Sequence, residues 1–104
     1  MNESEEIKLV GESERGARAD RLMKDEMLQE AFQKVEDGIV QKWKESPIRD
    51  AEGQATLRLL HKCLNDVRGY IKEVAETGKL ANVQLDNERT LRERAKSAVR
   101  EFRR

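Results

Sequence analysis

Five cations near the end of the chain, Arg89, Arg92, Lys96, Arg100 and Arg103, are separated by 3, 4, 4 and 3 residues. On an α-helix that spacing lines one face with positive charge. Such a face can neutralise phosphates along a nucleic-acid backbone, or seat a helix on an acidic protein surface. Leu91, Ala95, Ala98 and Phe102 form an adjacent stripe, so the segment has apolar area to bury as well as charge to neutralise. Residues 89–104, Arg104 included, hold seven basic side chains against Glu93 and Glu101, a net of +5. Neither interleaved aromatics nor a base-reading motif accompanies the charge. The reading favoured is therefore an amphipathic docking helix that meets protein in preference to DNA. A solvated helix end is the plainer alternative.

Other candidates for chemistry are sparse. His61 is the single histidine and Cys63 the single cysteine. Two residues apart on a helix they point to different faces and do not share one metal ion. Cys63 reads as a small hydrophobe at the edge of an apolar seam. Carboxylate pairs such as Glu26 with Glu30, or Glu73 with Glu76, share helix faces, but none has the apolar setting that raises a pKa for acid–base work. There is no phosphate-binding glycine loop and no nucleophile elbow. The expectation is a protein without catalytic residues, cofactor or metal, and without a small-molecule substrate.

The elements that must position the basic stripe are helical. Of the 104 residues 40% are charged and only 4% aromatic, and good helix formers dominate. The chain suits one small domain of long helices with one apolar stripe each. Residues 1–12 read as a flexible acidic arm; the first fourteen residues carry five glutamates against Lys8, a net of −4. A short helix is expected near Glu14 to Met23, weakened by Gly16. Asp25 is a plausible N-cap for a second helix whose apolar residues Leu28, Phe32, Val35, Ile39 and Trp43 fall on one face. It stops near Glu45, because Pro47 disfavours helical geometry at Ser46.

Asp50 caps a third helix with a heptad-type seam: Leu57, Leu60, Leu64, Val67, Ile71 and Val74. That helix is expected to end at Thr77 with Gly78 as a left-handed C-cap. A last helix starts near Leu80 and is interrupted, or not, at Asp86-Asn87-Glu88. The short Ser46–Arg49 connection folds helices two and three into a long antiparallel hairpin. The expected fold is thus all-α. A flexible arm (1–12) precedes the hairpin with its short N-terminal helix (13–85), and a basic amphipathic C-terminal helix (86–104) follows. Trp43, where the hairpin narrows, is an anchor for the core or for an interface.

A net charge of zero argues against a generally basic nucleic-acid binder. One cysteine excludes an intrachain disulfide, and no apolar run is long enough for a membrane span or a signal-peptide core. A soluble, intracellular protein is expected.

Several features in order resemble a family of small helical proteins of tailed phages and prophages, encoded near head and packaging genes. They are Ala17-Arg18-Ala19, the stretch Leu28–Phe32, Trp43 before a Ser/Pro loop, Arg49-Asp50, Val67-Arg68-Gly69, and Thr77-Gly78-Lys79-Leu80 with Gln84-Leu85. The resemblance spans about two thirds of the chain, and order and spacing carry it. Where the family has Pro after the helix-two cap, this chain has Glu26. The resemblance implies a virion or head-assembly role. Partners would be further copies of the chain and other phage structural proteins, in the host cytoplasm and then the virion. A DNA-packaging accessory resembling a small terminase is the second reading, and a small inhibitor of a host protein the third.

Overall fold

The computed structural model describes residues 1–103; Arg104 lies outside the described residues. The chain forms three helices, α1 (Glu3–Lys24), α2 (Glu26–Glu45) and α3 (Ala51–Phe102), with no strand among the described residues. They divide into two units: Ala19–Glu73, and Met1–Arg18 with Val74–Arg104.

In the Ala19–Glu73 unit the local signals act as expected. Asp25 sits in extended geometry, and its side chain accepts from the Leu28 amide at 2.9 Å, satisfying one of the free donors that open α2. Ser46 closes α2, its hydroxyl donating to the Trp43 carbonyl at 2.6 Å. Asp50 accepts from the Gly53 amide at 2.9 Å and so starts α3. Gln54 donates to the Pro47 carbonyl at 3.0 Å, tying the connection to the first turn of α3.

The seam of α3 in this unit is shifted from the expected one. Leu57, Leu64 and Ile71 are half-buried as expected, but Leu60 and Val67 are 50% and 51% exposed. Their places are taken by His61 and Arg68, both half-buried. The cause is Glu36, which lies on the half-buried side of α2 with Leu28, Phe32 and Ile39. A carboxylate partly withdrawn from water requires a partner. Arg68 supplies one at 2.7 Å and stacks 5.2 Å above the Phe32 ring, and His61 Nε2 stands 3.6 Å from the same carboxylate.

In the other unit two expectations are corrected. Residues 3–12 are not a coil but the first turns of a 22-residue α1. Asn2 opens it, its side chain accepting from the Glu5 amide at 2.8 Å. Glu3, Glu5 and Glu6 then suit the positive end of the helix dipole. Secondly, Gly78 ends nothing: α3 continues for 52 residues, and none of the chain's glycines has a positive φ. Gly78 serves close approach instead. A Cβ built on it would stand 2.5 Å from the Gly16 Cα and 3.0 Å from the Glu12 carbonyl oxygen. One built on Gly16 would meet the Val74 carbonyl oxygen at 3.1 Å. Each glycine explains the other, because only hydrogen fits between the two backbones. Ala75 and Ala81 are buried on the same side of α3, and Ser13 is hydrogen-bonded to Asn82.

Candidate interaction surfaces

Cys63 is exposed, and no group of three metal-ligating side chains occurs among the described residues. The hydrogen bond from Arg68, with its charge and a smaller contribution from His61, holds the Glu36 carboxyl below the ordinary glutamate range. Asp66, 3.0 Å away, raises the Lys62 ammonium. Both groups are thereby fixed in their charged forms, the opposite of what proton transfer near neutral pH requires.

What stands out is apolar surface left in water. The buried hydrophobic residues are Ala19, Ala75 and Ala81, and no large side chain is fully buried among the described residues. Trp43 is 56% exposed and, with Ile39, Val40 and Leu57, lines an open groove of about 510 Å³ whose polar edge is Arg58 and His61. The sequence left Trp43 between core and interface; more than half of the residue is exposed.

A second surface escaped the sequence reading. Leu60, Cys63, Val67 and Tyr70 follow one another on α3 at spacings of 3, 4 and 3, and all four are exposed. The helix thus carries two overlapping heptad stripes. The one holding Leu57, Leu64 and Ile71 is half-buried, and the other faces out. The available signal was the run Gly53, Thr56, Leu60, Cys63, Val67, Tyr70, Val74 and Thr77. It contains no charge at heptad spacing, in a chain that is 40% charged.

Arg89, Arg92, Lys96 and Arg100 lie on the last turns of α3, and Arg103 follows its end at Phe102. Arg92 reaches Glu6 at 3.6 Å and Glu88 at 3.9 Å, and Glu88 also lies 3.7 Å from the Met1 amino group. Arg89 pairs with Asp86 at 3.6 Å. Beyond Arg92 every described residue is exposed, Phe102 at 95%. Leu91, Ala95 and Ala98 are exposed with it. Lys96, Arg100 and Arg103 form no ion pair among the described residues. Among the described residues the acidic start and the basic end of the sequence meet at the Glu6–Arg92 pair.

No helix among the described residues is long and apolar enough to cross a membrane. No protein-family model matches the chain, and neither a curated protein nor a solved structure does.

Proposed function

We propose that this chain is a non-enzymatic assembly protein that works through helix-to-helix contacts with other proteins. The observation that carries this is the mismatch between a core of three alanines and the exposed Trp43, Leu60, Val67, Tyr70, Leu91 and Phe102. Fully burying one large apolar side chain is worth about 1.5–3 kcal/mol, so such a surface gains most when a partner covers it. In each unit the paired positions run in opposite order along the two helices, Gly16 with Gly78 before Glu6 with Arg92, which supports antiparallel pairing. Phe32 and Glu36 against Arg68 and His61 support the same for the α2–α3 hairpin. With the resemblance to small helical proteins of tailed phages, the reading becomes a virion or head-assembly component. It would act in the host cytoplasm during assembly and then in the particle.

Sedimentation of the full chain over a concentration series, together with protein identification in purified virions, tests the proposal. Association of the chain and its presence in particles at fixed stoichiometry are expected. A strict monomer at high concentration that binds no capsid or portal component overturns it.

A nucleic-acid role has one specific observation in its favour, the exposed cations Lys96, Arg100 and Arg103, which form no ion pair among the described residues. On that reading duplex DNA binds at low salt, weakens steeply as salt rises, and is lost when Arg92, Lys96 and Arg100 are changed to Glu.

A further inference from the structure

We infer that one side of the α2–α3 hairpin binds the same side of a second copy, with α2 of each copy lying along α3 of the other in a four-helix bundle. The inference rests on the assembly reading and deepens it. Every residue it uses lies in the Ala19–Glu73 unit.

Two stripes make this side. On α3 it is Leu60, Cys63, Val67 and Tyr70, and on α2 it is Ala31, Val35 and Gly38, all exposed. Val40 and Arg58 line a groove on one side of the hairpin, and counted round each helix both stripes fall on the opposite side. The inner flanks of the stripes are half-buried, Phe32 and Ile39 on α2 and Leu64 and Ile71 on α3, so charge stands on the outer flanks alone. In steps of seven, the outer flank of α2 is Met27, Lys34 and Gln41, and that of α3 is Leu59, Asp66 and Glu73. Lys34 lies about 70° round from its stripe and Asp66 about 80° from its own, the flanking places of a heptad contact.

The register follows from the hairpin itself. Phe32 and Glu36 lie against Arg68, and Glu36 also against His61, which sets Lys34 level with Asp66 along the antiparallel pair. A twofold axis parallel to the helices keeps these levels. It brings Lys34 of each copy to the partner's Asp66, and Val35 to the partner's Cys63. Lys34 forms no ion pair among the described residues, and Asp66 holds the exposed Lys62 through Oδ2 at 3.0 Å, which leaves Oδ1 for the second cation.

Charge selects this arrangement among the possible self-contacts. In an α3-on-α3 contact the outer flanks set acid against acid, and in an α2-on-α2 contact Lys34 finds no acid. Opposite signs meet when α2 lies on α3. The area also suits a second copy. Met27, Val35, Leu59, Leu60, Val67 and Tyr70 are each 50–72% exposed. With their polar rim they offer surface of the order of the roughly 800 Å² that each partner buries in a stable interface of standard size.

Charge exchange within one chain tests the contact. Lys34→Glu sets two acids together across the interface, and Asp66→Lys sets two cations together. By sedimentation each is expected to dimerise about tenfold more weakly than the parent, with unchanged helicity by circular dichroism. The double variant Lys34→Glu/Asp66→Lys restores opposite signs at both pairs and is expected to dimerise like the parent. A double variant as weak as the single ones, or single variants as strong as the parent, overturns the inference. Cross-linking gives a readout independent of charge. Chains carrying Cys63→Ser with Val35→Cys are mixed with the parent and oxidised. Mixed dimers joined from position 35 to Cys63 support the contact. Copies that associate but join only Cys63 to Cys63, or position 35 to position 35, overturn this contact and leave the assembly reading standing. A monomer in every sample also overturns this contact, and the virion and capsid-binding experiments then judge the assembly reading separately.

Discussion

In the unit of Met1–Arg18 and Val74–Arg104 the helices meet glycine to glycine, while within Ala19–Glu73 they meet through Glu36, Arg68 and Phe32. The first seam is built from residues with almost no side chain, so the backbones close to the limit of contact and little apolar area is needed. The second is built from large side chains held half-open by a carboxylate and its cations. A small-residue seam tolerates no added atom. A charged seam tolerates change in shape but depends on the ionisation of its members. The two units should therefore fail by different routes, volume for one and charge for the other.

Gly78→Leu breaks the first seam and carries the largest effect. A Cβ alone stands 2.5 Å from the Gly16 Cα, and leucine adds three more carbons behind it. Overpacking of this kind costs about 3 kcal/mol, against about 1 kcal/mol regained from better helix propensity. The net is a large share of the 5–15 kcal/mol that stabilises a typical domain. Hydrogen exchange should show loss of protection in α1 residues before Arg18 while α2 keeps its own. Equal loss in α2 would mean that the two seams do not stand separately.

How far the seams were legible in the sequence follows the distance over which each is decided. Asp25, Asp50 and the Ser46-Pro47 stop act within four residues, and their geometry matched the sequence reading. Gly78 has two local meanings, helix end or close approach, and the choice lies with Gly16, sixty-two positions away. The α3 register was ambiguous because two heptads overlap on that helix. Glu36, on a different helix, selects the one containing His61 and Arg68. The helical state of the tail was readable because its spacing pattern is local. The outward stripe of Leu60, Cys63, Val67 and Tyr70 was not separable until the inward register was known.

Arg68→Met tests the second seam with a smaller effect. It keeps a side chain of similar length over Phe32 but removes the 2.7 Å bond to Glu36. Both groups retain solvent contact, so screening keeps the loss at pH 7 below that of Gly78→Leu. Its dependence on pH is the sharper sign. The folded-state pKa of Glu36 is lowered by Arg68 and, more weakly, by His61. The stabilisation is therefore complete above the ordinary glutamate value of about 4.3 and disappears as pH falls through the lowered folded value. Thermal melts from pH 7 to pH 3 should show parent and variant converging at the acid end. A constant gap between them would assign the loss to packing and remove charge from the account of this seam. Gly78→Leu should show no such convergence, since nothing it displaces titrates.

The smallest effect comes from glycines that no neighbour crowds. Gly38 in α2 has nothing within 4 Å of a built Cβ, and neither has Gly69 in α3. Alanine at either place meets no atom and removes the excess freedom of glycine in the unfolded chain, for a gain of about 0.5–1 kcal/mol. The same Gly→Ala exchange at Gly78 should lose stability, because the added carbon has no room beside Gly16. One chemical change thus gives opposite signs at positions of equal helical character, and urea unfolding of the three variants reads the difference. If Gly78→Ala stabilises as Gly38→Ala does, the close approach of α1 to α3 is not what holds that unit, and glycine there needs another explanation.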